Sequence, residues 1–197
     1  KSRITATAGL AYAGAAIAAL FAGDFVTLFI YWELTAFTSV LLILAGQNFN
    51  SQSTNNRAAA MRYLLLQVGS GVILLAGAVL LWRSAGASEN GLLIGALDAE
   101  TPAGVLILIA LGIKAAFPLV SDWLQDAYPE ASPTGTVMLS AFTTKLAIYM
   151  LAVCFAGYDM LIYIGVIMAV LTTFYALIEN DLRRALAYSL NGQLGIM

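Results

Sequence analysis

The chain has 197 residues, of which 61% are hydrophobic and only 10% charged, and its mean hydropathy is +0.87. An ordinary soluble domain carries about a quarter charged residues, so water is excluded as the main solvent and lipid is implied. A formal net charge of -2 argues against nucleic acid as a partner, a single cysteine (Cys154) excludes an intrachain disulfide, and the lack of histidine excludes His-held haem and most Zn or Cu sites.

Polar breaks divide the chain into about seven apolar segments, near 4–22, 25–46, 60–82, 103–127, 134–156, 160–178 and 184–197. Most approach the roughly 20 residues needed to cross a hydrocarbon core of about 30 Å. None alternates as a barrel strand would, and the abundance of Ala, Leu, Ile and Gly suits close helix packing in lipid. The expected fold is all-α, a polytopic transmembrane helical bundle. The first segment is too long for a signal-peptide core and lacks a convincing cleavage site. Lys1 at the start and Gly195-Ile196-Met197 at the end, inside an apolar run, suggest a piece of a longer protein.

The second segment carries "FIYWELTAF" at 29–37 and with it Glu33. The fourth carries "LGIKAAFPLVSDWLQDAYPE", where Pro118 has no N–H for the carbonyl of Lys114 four residues earlier, so a hinge is expected one turn from the lysine. A break of this kind at mid-membrane, with a freed carbonyl beside a charge, marks ion-carrying proteins, whereas a plain proline kink is the ordinary alternative. Ser132 and Pro133 open the fifth segment as N-cap and first helical residue. Within it "FTTK" sets Thr143 and Thr144 beside Lys145. Each hydroxyl could join a short water wire or bond a backbone carbonyl, the latter being the commoner habit.

Basic residues orient the bundle. With the first helix starting inside, the inner loops hold Lys1, Arg3, Arg57, Arg62, Arg183 and Arg184, and the outer loops hold Arg83 alone with Asp24, Glu89, Asp98, Glu100 and Asp159. That split follows the positive-inside rule and puts the residue 1 end in the cytoplasm. Lys114 and Lys145 lie within helices. Glu33 falls about nine residues from the outer end of its helix, roughly 13 Å at 1.5 Å per residue, and each lysine about eleven residues from an end, so all three share one depth near the midplane. A lysine stem is too short to snorkel from there. A static Glu–Lys pair would be structural but contributes little net stability. A relay of titratable groups, each responding to its neighbour's charge, gives the coincidence of depth a purpose.

Three stretches, "FIYWELTAFTSVLLI", "GIKAAFPLVSDWLQDAYPEASPTGTVMLSAFTTKLAIYML" and "ENDLRRALAYSLNGQLGIM", resemble the antiporter-like subunits of respiratory complex I, of multisubunit monovalent-cation/proton antiporters and of energy-converting membrane hydrogenases. The resemblance runs over essentially the whole chain. It implies a fourteen-helix core with two inverted five-helix repeats, of which residues 1–156 form the first and 157–197 the truncated start of the second. It also implies that Glu33 pairs with Lys114 on the proline-broken helix, that Lys145 continues the path, and that the path ends beyond Met197. Where relatives read "PLHTWLPDA" this chain has "PLVSDWLQDA", with Val120 and Ser121 near the histidine position and Gln125 in place of proline, so that histidine's role is not carried over. The wording "EASPTGTVMLSAFTTK" is closer to the D-type antiporter subunits.

The expected function is proton translocation through the Glu33, Lys114 and Lys145 relay, as a subunit of an NADH:quinone oxidoreductase-like or cation/proton antiporter complex in a bacterial or archaeal inner membrane. Its partners would be other membrane subunits, the bilayer and protons. Neither a metal nor an organic cofactor is expected, and any redox centre would sit on other subunits. Na⁺ or K⁺ exchange is the nearest alternative, since Glu33 and the freed carbonyl at Lys114 offer oxygen ligands. A quinone-binding redox subunit is a more distant one, because Trp32, Trp123 and Tyr128 read as ordinary lipid-facing aromatics at the interface.

Overall fold

The computed structural model describes residues 2–48 and 56–197; Lys1, counted above among the inner charges, lies outside them. Eight α-helices are described: α1 (Ser2–Leu20), α2 (Phe25–Leu44), α3 (Asn56–Ser84), α4 (Pro102–Lys114), α5 (Asp122–Glu130), α6 (Pro133–Cys154), α7 (Asp159–Ile178) and α8 (Leu182–Ile196). Four of them, α2, α3, α6 and α7, are long and apolar enough to cross a membrane, while α1 and α4 are shorter apolar helices. The chain folds as an all-helical membrane bundle. The helix α2 packs against α1 and α3, α3 packs against α4 and α5, and α6 closes the group against α1, α2 and α4. The last two helices pack chiefly on each other, and α8 also touches α5.

Local chemistry sets the helix ends. Asp24 caps α2, accepting the Thr27 backbone N–H at 2.8 Å and its hydroxyl at 2.7 Å. The Thr27 N–H, and then its hydroxyl, hold the Asp24 carboxyl below the usual carboxylate range. A carboxyl whose folded value is depressed contributes stability above its unfolded value and loses it as pH falls through the folded one. Thermal unfolding of Asp24→Ala should therefore show a loss of about 0.5–2 kcal/mol near neutral pH, and the gap from wild type should close in acid. Thr101 and Ser132 cap α4 and α6 in the same way, through Gly104 N–H and Gly135 N–H, and Pro102 and Pro133 occupy the first helical positions.

The fourth apolar segment does not run as one helix through 103–127. It divides into α4 and α5, joined by a seven-residue link that begins three residues before Pro118. The missing N–H at Pro118 removes the bond that would carry the helix past Lys114, and Ala116 turns into the left-handed region at φ 60°. The Phe117 ring lies against Gly112, where a Cβ would come within 2.5 Å of it. Trp123 Nε1 then donates to the Ile113 carbonyl at 3.0 Å, tying the start of α5 back to the end of α4. The break is thus a built turn held by Trp123.

Two apolar cores stack along the bundle. One gathers Phe25, Leu28 and Trp32 of α2 with Leu74, Ile107, Leu111, Leu146 and Met150. The other gathers Leu42 and Ile43 with Tyr12, Tyr63, Trp123, Leu124, Tyr128 and Leu139. Between them, at mid-height, α2 places Thr35, Thr38 and Ser39, α3 places Gln67 and Ser70, α4 ends on Lys114, and α6 places Thr143 and Thr144, all buried. This polar belt is the distinctive feature of the fold.

Candidate functional site

Lys114 is 1% exposed at the C-terminus of α4. Its Nζ donates to the Thr35 hydroxyl at 2.9 Å and to the Trp32 carbonyl at 3.2 Å, and it lies 4.1 Å from the centroid of the Trp32 ring. Among the described residues no ion pair joins it to a carboxylate. Desolvating an ammonium is costly, and here the compensation comes from two neutral oxygens and an aromatic face. The position at the end of α4 adds the negative end of the helix dipole.

Glu33 is the carboxylate within electrostatic reach of Lys114. Its side chain, however, leans toward α3: a Cβ built on Gly71 would lie 1.7 Å from Glu33 Oε1. That oxygen is buried with no hydrogen-bond partner. The structure thus brings Glu33 and Lys114 to one site but seats them on different partners. Beside them Trp32 Nε1 donates to Ser70 Oγ at 3.1 Å, and Ser70 in turn donates to the Gln67 carbonyl at 2.7 Å.

Lys145 is half-buried on α6, and no hydrogen bond or ion pair joins it to Glu33 or Lys114. Its neighbours behave otherwise than their type suggests. The Thr143 hydroxyl pairs with the Tyr12 hydroxyl, and Thr144 Oγ1 is buried without a partner, so neither bonds a backbone carbonyl. Pro118 sits inside the α4–α5 link, four residues from Lys114.

The aromatics read from sequence as lipid-facing are core residues instead. Trp32, Trp123 and Tyr128 are at most 2% exposed. Each has a polar tip that finds a partner inside the bundle: Ser70 for Trp32, the Ile113 carbonyl for Trp123 and the Leu139 carbonyl (3.0 Å) for Tyr128. Sequence reasoning also passed over Thr35, Ser39, Tyr63, Gln67 and Gly71. Their signal is present: polar residues recur at 35 and 39 on α2 and at 63, 67 and 70 on α3, each set tracing one helix face.

Comparison with known proteins agrees with this architecture. The chain is 29% identical over 190 residues to NAD(P)H-quinone oxidoreductase subunit 2 from the organellar chromatophore of Paulinella chromatophora, covering 88% of this chain and 36% of that protein. It is 28% identical to a Na(+)/H(+) antiporter subunit of Bacillus subtilis (strain 168), covering 95% of this chain and 25% of that protein. Among solved structures, a chain of the Mrp complex from Dietzia sp. DQ12-45-1b superposes with a TM-score of 0.80 at 28% identity, covering 95% of this chain and 37% of that one. A chain of respiratory complex I from Thermus thermophilus with bound aureothin gives 0.76 at 25%, covering 94% and 42%. The chain thus spans about a quarter to a third of the length of these two curated relatives. Residues 22–197 match the family model described as NADH:quinone oxidoreductase/Mrp antiporter, TM, and the chain belongs to that family of integral membrane proteins.

Proposed function

We propose that this chain forms part of a proton-translocating subunit in which Glu33, Lys114 and Lys145 relay the proton. The carrying observation is the seating of Lys114: a buried cation held by Thr35, Trp32 and a ring face, with an unpartnered carboxylate oxygen of Glu33 nearby. A lysine fixed for structure alone would be expected to sit in contact with its counter-charge. Here ammonium and carboxylate stand apart within electrostatic reach, so a small movement of either changes how firmly Lys114 holds its proton. The relatives' names, one of a quinone oxidoreductase and one of a Na(+)/H(+) antiporter, support ion movement as the common activity.

In this reading protons enter from the cytoplasmic face by the α4–α5 break and load Lys145, and Lys114 passes its proton onward when Glu33 withdraws. Residues 1–156 make the first repeat and 157–197 open the second. The subunit works beside other membrane subunits of a larger complex, in a bacterial or archaeal inner membrane with the residue 1 end cytoplasmic. Residue chemistry supplies the whole relay.

A second reading is Na⁺ or K⁺ exchange against protons, favoured by the orphaned Glu33 Oε1 as a hard-cation ligand. Both readings are tested by ΔpH measurements in inverted membrane vesicles carrying the full-length protein in its complex. Lys114→Ala and Glu33→Gln should each abolish proton movement while the complex still assembles. Wild-type rates in both variants would overturn the relay, and an absolute requirement for Na⁺ or K⁺ would select the exchange reading.

A further inference from the structure

Tyr63 of α3 donates its hydroxyl to Ser39 Oγ of α2 at 2.8 Å, and both side chains are fully buried. Ser39 stands one helical turn from Thr35, whose hydroxyl holds Lys114. On the other flank the Tyr63 and Tyr128 hydroxyls face Thr143, which pairs with Tyr12. One turn along α3 from Tyr63 lies Gln67, buried, with neither amide atom partnered. At the start of α3, Asn56 Nδ2 donates to the Ile43 and Glu130 carbonyls, yet its Oδ1 is buried without a partner.

A single hydroxyl pair in a core is ordinary. A seam that runs from Asn56 through Tyr63 and Ser39 to Gln67 and Thr35, with orphaned amide atoms near both ends, is not. Each orphaned amide atom calls for a partner, and water is the partner that fits a narrow polar gap between helices. Building on the relay reading above, we propose that the Tyr63–Ser39 pair is a proton-conducting step that supplies Lys114 through Thr35 from the end of the bundle where α2 finishes and α3 begins.

The step balances by hydroxyl exchange. A neutral Lys114 amine takes the proton of the Thr35 hydroxyl, and Thr35 regains one from the Ser39 side. The two hydroxyls are separated by one helical turn, about 6 Å between Cβ atoms, a gap one water spans beside the Gln67 amide. Ser39 takes the phenolic proton of Tyr63, and Tyr63 is refilled from the Asn56 end. Each hydroxyl finishes with one proton, and one proton has moved. The Ser39 hydroxyl now donates to the Ala36 carbonyl at 2.8 Å, so it must turn away from its own helix once per cycle.

The test uses the full-length protein in its complex, in inverted vesicles, with initial rates of ΔpH formation in H₂O and D₂O. Tyr63→Phe removes the hydroxyl but keeps the ring edge-on to Trp123, 5.4 Å between centroids; Ser39→Ala is the second variant, and Lys114→Ala is the reference. Both hydroxyl deletions should slow transport by about tenfold or more and enlarge the solvent isotope effect, because proton delivery becomes limiting. Wild-type rates in both deletions with Lys114→Ala inactive would overturn this step and leave the relay standing. A slower rate with an unchanged isotope effect would also overturn it, since that is what mere loosening of the core would do. An active Lys114→Ala would overturn the relay itself. If Tyr63→Phe fails to assemble, the Ser39→Ala rate and isotope effect decide the question alone.

Discussion

Lys114→Met is expected to give a complex that is more stable than wild type and does not transport. The side chain is 1% exposed, and its charge is set against two neutral oxygens and an indole face rather than a carboxylate in contact. Methionine fills a similar volume without a charge to desolvate. Its arrival orphans nothing, because the Thr35 hydroxyl already donates to the Trp32 carbonyl at 2.7 Å and keeps that bond. Replacing buried charges by well-packed apolar residues is often stabilising by about 1–4 kcal/mol. Thermal unfolding of the purified complex reads the gain, and vesicle ΔpH reads the loss. A destabilised variant would mean that Lys114 is a structural tie.

The second large effect is expected at Gly71. An alanine methyl there would meet Glu33 Oε1 at 1.7 Å, and that oxygen is the far end of a flexible side chain, so the carboxylate yields rather than the helix. The side it can yield to is toward Lys114. Gly71→Ala should therefore bring the two charges into contact and hold them there. Helix propensity favours alanine by about 1 kcal/mol, so assembly should be normal. Misplacing a reacting group by about 1 Å can cost on the order of 100-fold in rate, and a loss of that order is expected in vesicle transport. Structure determination of the variant complex should find Glu33 moved off α3; an unmoved carboxylate with full transport would show that its seat on Gly71 has no role.

The class of fold and the charged residues of the site were legible because they violate the local composition. A glutamate in "YWELT" and a lysine before a proline stand out in any apolar run. Hydropathy found the segments, and Pro118 found the break. It could not find where the helix stops, because Ala115 and Ala116 carry no turn signature and the left-handed step at Ala116 is fixed by packing of Phe117 on Gly112 and by Trp123 on Ile113.

Aromatics misled for a related reason. Trp32, Trp123 and Tyr128 have the amphipathic chemistry of membrane-interface residues, and the same chemistry suits a core that offers each polar tip an internal acceptor. The distinction depends on neighbours 11 to 38 residues away in sequence for Tyr128 and Trp32, which periodicity within one helix does not record. The seating of Lys114 on Thr35 rather than in contact with Glu33 is of the same kind. Positions 33 and 35 point about 200° apart around α2, and only the placement of α3 and α4 decides which of them meets the lysine.

The polar belt also governs how a membrane voltage acts on this bundle. Above and below it lie dry apolar plugs of low polarizability, so in an upright bundle the potential falls mainly across the plugs and little along the belt. Moving one charge through the full potential takes about 2.3 kcal/mol per 100 mV, but a proton shifting sideways among groups at one height crosses almost none of it. Charge transfer among Thr35, Lys114 and Thr144 would then be electrically silent, and voltage would weigh on the steps that enter and leave the belt.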